Sequence, residues 1–354
     1  MRSRALFFSA TALLVLGCSS TKDGTAASTK SDAAYQEDVI EGLHELFLGE
    51  IGTLLGASKD LGDALPAPAD RGWDGAADAG AILASRGHWY TARSAYERIE
   101  GAIAPLFPDV DFAIDGRYDD FLAELGAAGD PDAFDGTGVT GMHAVERILF
   151  SDVTPARVVA FEETLPGYLP ARFPGTSAEA AETKSGLVAQ LSADVTTLRD
   201  QWTPVHIHPF IALQGLTALM NEQAEKVRKA ASNEEESRYA QRTMTDIRDN
   251  LAGTRAAFAL FEPWIQAKSG GADVVTDVHA GFDALGAAYD AVSGDAFPEP
   301  PVTWSSENPS AADLSTSFGV LFVAVTAAVD PKDPKSVVSR MEDGAALIGY
   351  AFPR

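Results

Sequence analysis

The stretch Gly141-Met-His143-Ala-Val-Glu146 carries residue types and a spacing that can hold a metal ion. Residues three apart on a helix are neighbours, with Cβ atoms about 5–6 Å apart, so the His143 imidazole and the Glu146 carboxylate can share one cation. Val145, Ile148 and Leu149 fall on one apolar stripe and predict a helix here, with Thr137 and Thr140 as N-cap candidates. Two ligands do not make a tight site. Upstream, Glu97 and Glu100 are again three apart, and Asp109, Asp111, Asp115, Asp119 and Asp120 follow within a short distance. Carboxylates on one helix or loop facing a His/Glu pair on another is how metal sites are built inside helical bundles. The His/Glu pair occurs once, which favours one ion over two.

Other motifs argue for less. Gly136-x-Gly138-x-x-Gly141 spells a dinucleotide fingerprint, but Asp130-Pro-Asp-Ala-Phe-Asp135 before it is a turn and no buried strand. The zinc protease signature is absent, since Leu48 stands where His44-Glu45 would need a second histidine, and no GxSxG occurs. His206-Ile-His208 offers two imidazoles on one side of an extended segment, as a transition-metal pair or as a polar helix start. Glu234-Glu-Glu236 reads as a solvated helix N-terminus. Trp73, Trp89, Trp202, Trp264 and Trp304 read as packing anchors.

The run Ala92-Arg93-x-x-Tyr96-Glu97-Arg98-Ile99-Glu100, then Asp109-x-Asp111-x-x-Ile114-Asp115-x-Arg117, then Gly141-x-His143-x-x-Glu146 resembles the imelysin-like family. Within it the resemblance is to the EfeO-type members, periplasmic components of bacterial iron uptake. The intact GxHxxE pattern and the following Leu149-Phe150 carry much of it. A second echo lies in Glu236-Ser-Arg-Tyr239 and Thr245-Asp246-Ile247. The resemblance implies an all-α fold of two packed four-helix-type bundles and a metal site built on His143 and Glu146, with Glu97, Asp115 and, in reserve, Glu100. It also implies handling of a divalent or ferric metal ion, iron favoured over zinc or manganese, with an iron permease or outer-membrane receptor as partner.

The elements that must position these residues read as helices almost throughout. Apolar stripes predict a helix from Tyr35 ended by the Pro66-Ala-Pro68 break, then helices over 78–104, 178–202, 209–231, 234–268, 274–292, 311–329 and 335–351, with a loop-rich 109–135 and a short helix near 121–125. Strand signals are scarce. The expected organisation is a leader over 1–17, a tether over 18–34, an N-terminal bundle over 35–170 with the His143 motif, and a C-terminal bundle over 171–354.

Charge and cysteine usage narrow the function. With 27 Lys+Arg against 51 Asp+Glu, a net charge of −24 repels nucleic acid phosphates; it serves solubility first and also suits a collector of cations. Arg2 and Arg4, the apolar run 5–16 and Val15-Leu-Gly-Cys18 resemble a bacterial lipoprotein signal, with Cys18 the lipidated residue. Cys18 is the single cysteine, which excludes an intramolecular disulfide, an iron–sulfur cluster and Cys-ligated zinc. Ser19 favours outer-membrane sorting. With only a short tether ahead of Tyr35, no copper centre and no ferroxidase step are expected. The expectation is a lipid-anchored cell-envelope protein that binds a metal cation for uptake. The competing readings are a metal-dependent peptidase and a haem-binding or scaffold lipoprotein.

Overall fold

The long apolar stripe Val39, Ile40, Leu43, Phe47, Ile51, Leu54 and Leu61 is buried along one face of α1 (Asp32–Ala64), and the neighbouring helices assemble on it. The computed structural model describes residues 30–125 and 138–352. Cys18, the leader, most of the tether, Gly136 and Thr137 lie outside the described residues. Among the described residues every regular element is helical. After α1 come α2 (Ala79–Glu97), α3 (Glu100–Leu106), α4 (Pro108–Asp115), α5 (Tyr118–Leu125), α6 (Gly141–Leu149), α7 (Ala156–Glu162) and α8 (Ser177–Glu182). A π-helical stretch over Thr183–Val188 leads into α9 (Ala189–Trp202). Then follow α10 (Pro209–Ala231), α11 (Thr243–Gln266), α12 (Gly271–Asp290), α13 (Ala311–Leu314), α14 (Ser317–Val329) and α15 (Val337–Leu347).

Helices α2, α9 and α11 pack on α1, while α4 and α6 close against α9 and α2. A second group has α10 against α3, α14, α11 and α15, and α12 against α15, α11 and α14. Helix α11 contacts both groups, and α3 joins the first group to α10. Leu191, Val195, Leu198 and Trp202 of α9 need an apolar face, and α1 supplies it. The Trp202 ring meets Phe47 edge-on at 5.4 Å, and its indole N–H donates to the His44 carbonyl at 3.2 Å. No helix among the described residues is long and apolar enough to cross a membrane.

Several expected elements come out differently, and each difference bears on the site. The helix expected over 78–104 is interrupted, with α2 ending at Glu97 and α3 beginning at Glu100. Asp109, Asp111 and Asp115 lie on a helix, α4, where a loop was expected, because Pro108 is suited to its first position. The helix expected from Glu234 begins only at Thr243. Residues 233–241 instead form a turn, with Asn233 and Gln241 at positive φ. The solvated helix start expected at Glu234–Glu236 is therefore corrected. Glu235 is buried against Arg157 and Gln241, and Glu236 turns inward to Lys226 and Arg93. In His206-Ile-His208, Ile207 is buried and His208 Nδ1 caps α10 by accepting from Phe210 N, as the reading of a polar helix start expects.

Candidate metal centre

Gly141 decides where the histidine stands. Its φ is +83°, a conformation that glycine tolerates and side-chain-bearing residues rarely adopt. A Cβ there would lie 2.6 Å from the Ile114 carbonyl oxygen and 2.8 Å from that of Ala113. The missing side chain lets the start of α6 touch the end of α4, so that His143 Nε2 lies 3.4 Å from Asp115 Oδ1. Thr140 occupies the N-cap position without a side-chain capping bond.

Glu146 is fully engaged in holding the imidazole. Its Oε1 accepts from the backbone N–H groups of Tyr239 and Ala240, at 3.0 and 2.8 Å, and its Oε2 lies 2.7 Å from His143 Nδ1. A carboxylate already accepting two hydrogen bonds calls for a third donor, so Nδ1 carries the proton and Nε2 the lone pair. Nε2 is buried, has no hydrogen-bond partner, and faces a carboxylate oxygen. Two lone pairs that close in a dry site need a proton or a cation between them.

Arg93 of α2, wholly buried, joins this pair to a second set of acids. Its guanidinium contacts Asp115 through Nη1 and Glu97 through Nη2, reaches Glu236 at 3.3 Å, and has Nε 3.5 Å from Asp246. Glu97, Glu236 and Asp246 each offer an oxygen, and these lie within 4.8 Å of one another, inside the reach of one ion. Ser237 donates to Asp246 at 2.5 Å, and Asn250 donates to Glu97 and Glu100 at 2.5 and 2.8 Å. Lys226 Nζ, from α10, sits 3.0 Å from both Glu100 and Glu236 and 3.7 Å from Glu97. Five carboxylates thus face two side-chain cations, with His143 beside them.

The surplus of negative charge is written in the proton affinities. Burial pushes Glu97 well above the usual carboxylate range against the pull of Arg93 and Lys226. Burial likewise lifts Asp115 to about 7 and Asp246 to about 6, with Arg93 opposing both. Glu236 goes the other way: burial would raise it, but Lys226 and Arg93 together bring it to about 2. Burial, and then the Arg93 charge, lowers His143, which stays neutral at pH 7.

Of the residues expected from the sequence, Asp115 and Glu97 meet one guanidinium, and His143 lies against Asp115. Glu146 lies behind the imidazole, turned to His143 Nδ1 and the 239–240 backbone. Glu100 sits at the edge, paired with Lys226 and Asn250. Arg93, Lys226, Glu236, Asp246 and Asn250 were not anticipated as part of the site. Arg93, Glu236 and Asp246 do belong to the segments that carried the family resemblance, which was the one signal available for them.

Comparison with known proteins agrees with this architecture. The family model described as Imelysin (Peptidase_M75) matches residues 74–314, which include every residue of the cluster. The chain is 28% identical over 188 residues to the "Iron uptake system component EfeO" of Escherichia coli K12 and to that of Shigella flexneri. It is 27% identical to the protein of the same name from Escherichia coli O1:K1. Each match covers 53% of this chain but only 40% of the relative. The chain also resembles the crystal structure of an imelysin-like protein from Psychrobacter arcticum 273-4. That likeness has a TM-score of 0.54 at 12% identity, over 92% of this chain and 98% of the other. The all-α fold and a match over well over half of its length make this chain a member of the imelysin family.

Proposed function

We propose that this protein is a cell-envelope component of iron uptake, anchored through a lipid on Cys18, that holds a metal cation at the buried cluster. The proposed ligands are His143 Nε2 and Asp115, while Glu97, Glu236 and Asp246, across Arg93, add negative charge around them. Glu146 is proposed to orient the imidazole and fix its tautomer, a role common behind metal-binding histidines. The observation that carries the reading is His143 Nε2, buried, without a hydrogen-bond partner and 3.4 Å from a carboxylate oxygen. A surplus of carboxylates over Arg93 and Lys226 favours adding positive charge, and a mixed nitrogen and oxygen donor set suits iron, zinc or manganese. The names of the curated relatives favour iron as the cargo. Delivery to an iron permease, or receipt from an outer-membrane receptor, belongs to the same proposal.

The enclosure of the site supports cargo binding over peptide hydrolysis. His143 is 1% exposed and Glu97 is wholly buried, whereas a peptidase must admit a peptide to the metal. The test is elemental analysis of protein purified without chelator, followed by titration with Fe(II), Mn(II) and Zn(II). The wild type should carry or take up metal stoichiometrically, and the His143→Ala/Asp115→Asn variant should not. A wild type that binds none of the three ions, while correctly folded, would remove the proposal.

A further inference from the structure

The cluster is buried, so an ion needs a way in. A pocket of about 190 Å³ opens between α3 and α10, lined by Glu100, Gly101, Pro105, Gly215, Ala218 and Glu222 among others. Its walls come close because both helices present glycine: a Cβ on Gly215 would fall 1.9 Å from the Gly101 carbonyl oxygen. Apart from these backbone surfaces the polar groups of the lining are two carboxylates. Glu222 lies on the outer, exposed side of α10, and Glu100 is only 13% exposed.

Glu100 faces both ways. It lines the pocket, and its Oε2 also lies 3.0 Å from Lys226 Nζ and 2.8 Å from Asn250 Nδ2, both of which contact Glu97. The interior acids beyond it, Asp115 and Glu236, keep 16% and 14% of their side chains accessible, while His143, Arg93 and Asp246 are sealed. Ion-pair contacts link Glu100 through Lys226 to Glu236, and Glu236 through Arg93 to Asp115. Acid-lined clefts with low-dielectric walls concentrate cations and speed their capture.

We propose that the pocket between α3 and α10 is the mouth through which a hydrated divalent cation reaches the His143 cluster, with Glu222 capturing it at the rim and Glu100 passing it inward. This rests on the metal-binding reading above. The route passes Lys226, whose ammonium bridges Glu100 and Glu236, and then Arg93, which contacts Glu236 and Asp115.

The test is stopped-flow loading of the full chain with Zn(II), and its withdrawal by excess chelator, for the wild type, Ala218→Trp, Glu222→Gln and Glu225→Gln. Ala218 is an exposed lining residue outside the cluster, so an indole there obstructs the pocket without touching a ligand. Glu225 does not line this pocket and pairs with Lys229, so its variant controls for net charge. Ala218→Trp should slow loading and withdrawal by the same factor and leave the equilibrium affinity unchanged. At pH 8.5, where Glu222, raised by burial to about 7, is ionised, Glu222→Gln should slow loading roughly two- to five-fold at low salt, and less at high salt, as expected for loss of one steering charge. Glu225→Gln should load as the wild type does. Unaltered rates in both Ala218→Trp and Glu222→Gln, with wild-type melting temperatures, would overturn the route while leaving the metal site standing. Equal slowing by Glu225→Gln and Glu222→Gln would overturn the role of Glu222. A folded wild type that binds no zinc, iron or manganese would overturn the site and the route together.

Discussion

Replacing Arg93 by methionine tests the electrostatic argument most directly. The change keeps a long apolar stem in a fully buried position and deletes a guanidinium that contacts Asp115, Glu97 and Glu236 and lies beside Asp246. Lys226 alone then touches part of the acid cluster. Removing one partner of a buried ion pair costs about 3–5 kcal/mol because the other charge is left uncompensated. At about 2 °C per kcal/mol, the low end for a long chain, that is a drop in melting temperature of roughly 6–10 °C. Protonation limits the damage, since Asp115 and Asp246 already stand near 7 and 6. A cation should limit it further: free metal at 100 times its Kd stabilises by about 2.7 kcal/mol. In the wild type the ion must share the carboxylates with Arg93, so the metal-induced shift should be larger in Arg93→Met. The assay is thermal unfolding at pH 7.5 with chelator and with Mn(II) or Fe(II). A variant as stable as the wild type in chelator, or one with no larger metal shift, would refute the picture of Arg93 as a counterion standing among cation ligands.

The metal-free and loaded proteins should respond oppositely to pH. Asp115 and Asp246 are raised from 3.8 to about 7 and about 6, so between these values the folded chain keeps protons that the unfolded chain has released, and metal-free stability falls as pH rises from about 5 to about 7.5. His143, lowered from 6.5 by burial, opposes this below its ordinary value, and Glu236, held near 2, gives up its contribution only as pH falls below about 4.5. Because metal competes with the same protons, affinity should rise across the same window; melts with and without Mn(II) that run parallel with pH would contradict this. Glu146→Gln should cost about 10–100-fold in metal affinity by titration calorimetry, since an amide cannot accept from His143 Nδ1 and both backbone donors as the carboxylate does. Gly141→Ala forces a left-handed backbone, worth about 1–3 kcal/mol, and drives a methyl into the Ile114 carbonyl. It should lower both the melting temperature and metal affinity, whereas an unchanged affinity would mean that contact between α4 and α6 does not set the His143–Asp115 distance.

Local pattern was enough for much of the fold. The stripe of α1 and the limits of α10, Pro209–Ala231, follow from apolar spacing, a leading proline and the polar residues that end each run. The motif helix was legible for the same reason, and so was the neighbourhood of His143 and Glu146, three apart on one face. Carboxylates at 97 and 115 could be nominated because their spacing and family resemblance single them out.

The division of labour within the site came only from the tertiary structure. Periodicity along a chain says which face of a helix is buried, but not which charges from distant segments meet there. Whether Glu146 binds an ion or braces the imidazole depends on the backbone N–H groups of Tyr239 and Ala240, more than ninety residues away. Glu236 reads as solvated in isolation, because three adjacent glutamates have no local reason to enter a core. Lys226 and Arg93, placed by α10 and α2, supply that reason by drawing Glu236 in with charge that outweighs its desolvation. The sequence by itself therefore determined a helical protein with a histidine and a glutamate three apart on one helix. The packing of α2, α4, α6, α10 and the 233–241 turn decided which acids surround it, because long-range charge pairing in a dry interior is a property of three-dimensional proximity and leaves no period in the chain.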